Sequence, residues 1–156
     1  MTDTFAGLPL TGVRCIDMVT TDRFVDLAEE GYDVVVRIVD APSPNVVARK
    51  LAPVNRRICA TPGYFERHGV PRTRKEHETH NCLTYSYFSP QDTWRLRGPE
   101  GEISVRAAGD LRLNDDDALA EAVLGGLGIA LLPTFIIGKD IQAGRLQVVL
   151  SEYVPL

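Results

Sequence analysis

The chain has 156 residues, of which 44% are hydrophobic and 24% charged, and its formal net charge is −4 at pH 7. A chain of this length buries enough surface for one ordinary core or two small lobes, and no apolar run approaches the ~20 residues of a membrane-spanning helix. The net negative charge argues against a broad electropositive surface for nucleic acid. Because the first residues lack the pattern of a signal peptide, we expect a globular protein of the cytoplasm.

The first third of the chain has the pattern of a βαβ unit followed by two more strands. Two strands joined by so short a helical connection should lie parallel, with a right-handed crossover. The predicted elements are a strand over 12–20, a helix over 22–31, an inner strand over 32–38, and strands over 45–54 and 55–61 that break near Pro53.

The remaining sequence alternates helices and strands around a central hairpin. Thr61 and Pro62 are typical of a helix start, and Gly69 of a helix end. The whole pattern predicts an α/β fold with a mixed sheet, and the return of the chain suggests two lobes. The expected helices cover 61–69, 73–80, 114–124 and 134–144, and the expected strands cover 82–88, 93–109 with a turn at 98–101, 128–133 and 145–150. The segment 110–114 leads from the hairpin into the third of these helices.

The stretch NDDDALAEAVLGGLGIALLP, residues 114–133, places three aspartates at the start of a short amphipathic helix. Asn114 is a favoured N-cap, and each carboxylate of the first turn is stabilised by ~0.3–1 kcal/mol at an exposed helix N-terminus. The pattern fits a well-capped crossover helix, and it fits equally a helix end that faces a ligand.

Catalytic and metal chemistry have little support in the sequence. No G-x-S-x-G turn exists. His77, His80 and Cys82 could superficially supply metal ligands, but a cysteine two residues into a strand should point away from the preceding helix, so we expect a polar surface helix. Cys15 and Cys59, like Cys82, lie in apolar stretches and are expected to be buried free thiols in a reducing compartment. We therefore expect no metal and no cofactor.

Basic and polar residues near strand ends are the better candidates for binding, because open α/β sheets take ligands outside the carboxyl ends of their strands. Arg37 follows three valines, so its stem should be buried and its guanidinium should meet an anion or carbonyl groups at the strand end. The partner is either a ligand or a structural salt bridge. Thr61 offers a hydroxyl and helix N–H groups to a carboxylate, or serves as a plain cap. Arg56 and Arg57 are expected on a solvated face.

Several stretches in this order resemble the effector-binding domain of LysR-type transcriptional regulators. They are DRFVDLAEEGYDVVVRI, VARKLAPVNRRICATPGYFERHGVPRT, HNCLTY, a tryptophan followed by GPEG, and LRLNDDDALAEAVLGGLGIALLP. The resemblance runs from about Val13 to Leu150. It implies a fold similar to type 2 periplasmic binding proteins, with two Rossmann-like lobes of mixed sheets, two crossing segments, and a small-molecule site in the cleft between the lobes.

The resemblance also implies a division of the chain. The family's winged helix-turn-helix, the first strand and helix of its first lobe, and its final helix have no counterpart, so the first lobe is expected to be incomplete. The expected parts are an N-terminal extension over 1–12 and an effector-binding domain over 13–156, made of a first-lobe portion and crossover over 13–58, a second lobe over 59–133 and a return segment over 134–156.

The same resemblance assigns effector-binding positions. They are Arg37 at a strand end of the first lobe, Thr61 at the crossover, and Asn114, Asp115 and Asp116 at the helix mouth that faces the ligand. Relatives commonly read Asn-Asp-Gly-Glu at this mouth, so Asp116 stands where a glycine is usual. An extra carboxylate there should repel the anionic effectors that the family often senses.

The function implied is that of a non-enzymatic effector-binding and oligomerisation domain of a bacterial LysR-type regulator, which senses a small molecule and thereby modulates transcription. A homodimer or homotetramer is expected, with contacts through 13–19 and the helix over 116–124. DNA would be bound only through a helix-turn-helix domain outside this chain. The alternatives are a free-standing small-molecule binding protein of periplasmic-binding type and an enzyme on a similar fold.

Overall fold

The computed structural model describes residues 17–21, 23, 27–39, 44–87 and 93–155. The chain divides into two compact units, Met1–Asp33 and Val34–Leu156. The first unit contains helix α1 (Leu27–Glu30), which falls within the helix predicted over 22–31. Arg23 reaches across this helix, and its Nη1 donates to Glu30 Oε1 at 2.9 Å.

The two strands predicted over 32–38 and 45–54 are wrong. The described residues there are not in strands, and Val34 and Val36 are 78% and 77% exposed. A buried strand needs hydrogen-bonded neighbours on both sides, and in the part of the chain that the structure describes no strand pairs with 34–39. The first strand of the predicted βαβ unit lies largely outside the described residues, and its described part, 17–20, is not a strand either.

The second unit is built on a five-stranded mixed sheet, which confirms the predicted sheet type. Its order is β5-β2-β6-β1-β7. Strand β6 runs parallel to β2, which also runs parallel to β5, whereas β1 is antiparallel to both β6 and β7. The strands are β1 (Arg56–Ala60), β2 (Cys82–Tyr85), β5 (Arg112–Leu113), β6 (Ile129–Pro133) and β7 (Gln147–Val149).

A second, three-stranded sheet has the order β4-β3-β8. The predicted hairpin is confirmed as β3 (Thr93–Gly98) and β4 (Gly101–Arg106), with Gly98 opposite Gly101 across the turn. Gly101 has a φ of 97°, which side chains other than hydrogen rarely allow. Strand β8 (Val154–Pro155), which pairs with β3, was not predicted from the sequence.

Helices and the second sheet cover both faces of the five-stranded sheet, which explains why β6 is buried at all five positions. On one face lie α4 (Asp116–Leu124) and α5 (Thr134–Gln142), which bury Leu119 and Ile137 against Leu132. On the other face, Trp94 packs with Leu131 in a separate cluster. Trp94 is only 1% exposed and is therefore a core residue.

Two short helices complete the unit. They are α2 (Pro62–His68), with seven residues, and α3 (Arg74–His77), with four. The predicted start of α2 is confirmed, because Thr61 Oγ1 accepts a hydrogen bond from the Tyr64 amide at 3.2 Å. Gly69 ends α2 with a φ of 83°. Helix α3 is shorter than the predicted 73–80, because the chain turns back after His77.

The predicted N-cap of α4 is off by one residue. Asp115, and not Asn114, is the cap, because its Oδ1 accepts from the Ala118 amide at 2.8 Å. The reason is that Leu113 still belongs to β5, and its carbonyl accepts from the Ser86 amide at 2.7 Å. Asn114 is therefore the link between strand and helix.

No described helix is long and apolar enough to cross a bilayer.

Candidate functional site

The carboxyl ends of the three parallel strands meet at one edge of the five-stranded sheet. They are Tyr85 of β2, Leu113 of β5 and Pro133 of β6. The antiparallel strand β1 begins at the same edge, where Arg56 lies opposite Pro133. We call this the carboxyl edge. Ligands of open α/β sheets bind outside such edges.

Two helices begin at the carboxyl edge, because α4 follows β5 and α5 follows β6 directly along the chain. Each has nine residues, and the N–H groups of a helix's first turn point outward with the positive end of its dipole. Asp115 caps α4, whereas Pro133 gives α5 no side-chain cap. The Thr134 amide donates to the Asn55 carbonyl at 2.8 Å. The starts of two helices, with the positive ends of their dipoles, thus lie at the edge that would meet a polar ligand.

A buried ion pair lies at the centre of the carboxyl edge. Arg56 Nη2 donates to Asp116 Oδ2 at 3.1 Å, and Nη1 donates to Oδ1 at 3.5 Å. The two side chains are 8% and 11% exposed. The guanidinium carbon also lies 5.7 Å from the centre of the Tyr85 ring. A two-point contact of this kind aligns the planes of both groups and is stronger than a single hydrogen bond.

The expectation that Arg56 lies on a solvated face is therefore wrong. The expectation that Asp116 disfavours anionic effectors stays a prediction. Asp116 is neutralised by the guanidinium beside it. Arg57 does remain partly exposed, and its Nη1 donates to the Arg56 carbonyl at 3.1 Å. The sequence held one signal for the pair, a basic residue that opens a buried strand. The family resemblance implied a second, because Asp116 stands where the motif usually has glycine.

The structure places the other predicted site residues differently. Asn114 and Asp115 are exposed at the carboxyl edge, beside Asp116. Thr61 follows the opposite end of β1, where a Cβ placed on Gly126 would lie 3.6 Å from its Oγ1. Since α4 separates Gly126 from the carboxyl edge and nine residues of helix span ~13 Å, Thr61 is not brought together with the other three.

Arg37 lies on the segment 34–39, which is not a strand, and its side chain is exposed. Its stem is therefore not buried as predicted, although the side chain does take part in an interaction within the protein. Two residues that were not predicted as site residues, Arg56 and Tyr85, do lie at the carboxyl edge.

A second polar cluster lies beneath α3, where a surface helix was expected. His77 and Cys82 are each 1% exposed, and Cys82 Sγ lies 3.4 Å from His77 Nε2. The expectation that Cys82 points away is wrong, because the chain turns back sharply and the His80 amide donates to the His77 carbonyl at 3.0 Å. The Tyr64 hydroxyl lies 3.2 Å from His80 Nδ1. Among the described residues, no group of three potential ligands could hold a metal ion.

Burial keeps this cluster uncharged. Burial, with a smaller contribution from the charge of His80, lowers the pKa of His77 to about 4. Burial raises the pKa of Cys82 to about 12, and that of Cys59 likewise to about 12. Both cysteines are free and buried, as predicted. A neutral thiol beside a neutral imidazole is not an activated nucleophile, so the cluster is part of the core.

His77 makes stability depend on pH. Between about pH 6.5 and about pH 4 the unfolded chain binds a proton at this residue and the folded chain does not, so the free energy of unfolding falls as the pH falls. The shift of the His77 pKa from 6.5 to about 4 corresponds to a loss on the order of 3 kcal/mol. We expect His77→Gln to lose less stability than the wild type over this range, as measured by urea unfolding. Equal losses in the two proteins would contradict the assignment.

Comparison with known proteins identifies the family. Residues 15–156 match the family model described as the LysR substrate binding domain. The chain is 37% identical over 133 residues to the HTH-type transcriptional regulator DmlR of Escherichia coli, an alignment that covers 85% of this chain and 43% of that protein. It is 31% identical over 132 residues to the probable HTH-type transcriptional regulator LtrA of Klebsiella pneumoniae, again with 85% and 43% coverage.

Solved structures agree with the sequence relatives. CrgA, a LysR-type transcriptional regulator from Neisseria meningitidis, superposes with a TM-score of 0.72 at 26% identity, covering 83% of this chain and 45% of CrgA. The full-length Vibrio cholerae virulence activator AphB gives a TM-score of 0.67 at 26% identity, covering 74% of this chain and 40% of AphB. The predicted fold class is thereby confirmed, and the chain spans less than half the length of these relatives. The chain belongs to the family of LysR substrate-binding domains.

Proposed function

We propose that this domain binds a small-molecule effector at the carboxyl edge and thereby controls transcription by a longer regulator. The observation that carries the proposal is the convergence of strand ends, two helix starts and the Arg56–Asp116 pair at one edge of a LysR substrate-binding domain. Asn114, Asp115 and Tyr85 would supply the polar and aromatic contacts. Thr61 acts as the cap of α2 in this proposal.

Contact with DNA belongs to a helix-turn-helix domain outside these 156 residues. DmlR and LtrA are named as HTH-type transcriptional regulators, and the alignment with this chain covers only 43% of each of them. The same names favour regulation over the alternative of a free-standing binding protein. We further propose that the domain works in the cytoplasm, carries out no catalysis of its own, and divides into the parts 13–58, 59–133 and 134–156.

The carboxyl edge can be tested with a ligand found by a thermal-shift screen of the chain. Replacing Asn114 with alanine removes an exposed amide at the edge, and the loss of one hydrogen bond of about 0.5–1.5 kcal/mol should weaken binding by roughly 2- to 12-fold. Calorimetry on both proteins measures the change.

The matched control is Arg67→Ala, because Arg67 lies at the far end of α4, where its Nη2 donates to the Gly126 carbonyl. This variant should bind the same ligand with unchanged affinity. If Arg67→Ala weakens binding and Asn114→Ala does not, the ligand binds at the other end of α4 and the proposed site is wrong.

We also propose that the domain forms a homodimer or homotetramer and that α4 contributes to the contact. Its outward face carries Asp117, Ala118 and Glu121, which are exposed in the single chain. The other predicted contact, 13–19, lies mostly outside the described residues. A stable two-fold interface should bury on the order of 1,600 Å² in total. Light scattering is expected to give a mass of at least two chains, and a mass of one chain at all concentrations would contradict the proposal.

A further inference from the structure

We propose that Asp116 is a built-in counter-anion that occupies the position at Arg56 which the carboxylate of an acidic effector would take. The effector of this chain would then be an uncharged or cationic polar molecule. This inference rests on the proposed function, because it names the charge class of the molecule bound at the carboxyl edge.

The geometry of the pair is that of a two-point contact between a guanidinium and a carboxylate. Arg56 presents two N–H groups to the two oxygens of Asp116, one to one, at 3.5 and 3.1 Å. A guanidinium binds the carboxylate of a small molecule by the same planar, two-point contact. Here the carboxylate is attached to the chain, 60 residues away in sequence. An external carboxylate would have to displace a group that loses little freedom on binding.

The position of Asp116 strengthens this conclusion. It is the first residue of α4, where the N–H groups and the helix dipole would otherwise favour a bound anion. Asp115, one residue earlier, already accepts the Ala118 amide. Two features that attract anions, the guanidinium and the start of α4, are therefore both satisfied by carboxylates of the chain itself. The start of α5 has no side-chain cap, and its N–H donors suit a carbonyl or hydroxyl oxygen.

Because the pair is buried, Arg56 should accept a free carboxylate only after the Asp116 carboxylate has been removed. The side chains of Arg56 and Asp116 are 8% and 11% exposed, so the charge of one is balanced by the other in a setting where water screens little. When Asp116 is shortened to alanine, the chain loses this balancing charge and gains a space of the size of a carboxylate. Acetate has the same functional group, and its carboxylate should pair with the Arg56 guanidinium in that space.

The experiment uses acetate as the probe, and acetamide as a probe of the same size without charge. At constant ionic strength, acetate should not stabilise the wild-type chain in a saturable manner. The Asp116→Ala variant should melt at a lower temperature than the wild type. At ~100 times its dissociation constant, acetate should raise that melting temperature by about 5–10 °C, and acetamide should not.

Two further variants keep the result interpretable. Asp110→Ala removes the same charge from an exposed position outside α4 and should not respond to acetate. The double variant Arg56→Met with Asp116→Ala lacks the guanidinium and should lose the response. If Asp116→Ala folds only when acetate is present and the double variant folds without it, the proposal is equally supported. A saturable response of the wild type, a response of the double variant, or no response of a folded Asp116→Ala would overturn it.

Benzoate, benzamide and benzylamine separate this inference from the proposed function. Chemical shifts of backbone amides report where each compound binds to the wild-type chain. Benzoate bound at the carboxyl edge more tightly than benzamide would overturn the inference and leave the proposed function intact. Acetate rescue of Asp116→Ala, combined with shifts that cluster only around Thr61 and Gly126, would support the counter-anion and overturn the proposed site.

Discussion

The buried pair of Arg56 and Asp116 is the contact on which the carboxyl edge depends. It ties the first residue of β1 to the first residue of α4, two elements far apart in the sequence. Moving either charge alone out of water would cost several kcal/mol, and only a close, well-aligned partner offsets that cost. The start of the strand and the start of the helix are consequently fixed relative to each other, and with them the part of the sheet where a ligand would meet the protein.

The sheet and helix α4 of the second unit hold this edge in place. Strand β1 lies between β6 and β7, so Arg56 begins one of the inner strands of the sheet. Helix α4 packs against the same sheet through Leu119 and Val123, both fully buried. The core thus positions the pair, and the pair determines the charge that a ligand encounters. Fold and selectivity depend here on the same few residues.

Sequence reasoning was reliable where the signal is local. Thr61, Pro62 and Gly69 define α2 within nine residues, and the turn at Gly101 defines the hairpin. It was unreliable where the position of a side chain depends on a contact that the local sequence does not show. Nothing near Arg56 in the sequence reveals Asp116, and nothing in the polar stretch around α3 reveals that His77 turns inward to contact Cys82.

The failure over 32–38 has a different physical cause. Three valines in a row are typical of an inner parallel strand, and the family resemblance points the same way. Such a strand exists only between hydrogen-bonded neighbours, and the described residues provide none for it. The three valines therefore favour a buried strand, but among the described residues no strand pairs with 34–39. The predicted burial of the Arg37 stem is wrong for the same reason, because it depended on that strand.

A double-mutant cycle on Arg56 and Asp116 tests the account most directly. Trp94, the one tryptophan of the sequence, lies buried in the same unit and reports unfolding in urea by its fluorescence. Arg56→Met and Asp116→Leu should each lower the free energy of unfolding by about 3–5 kcal/mol, because each removes the opposite charge beside a buried charge. The double variant should lose far less than the sum, with a coupling of at least about 2 kcal/mol. Additive losses, within about 0.5 kcal/mol, would show that the two side chains do not act as a buried pair.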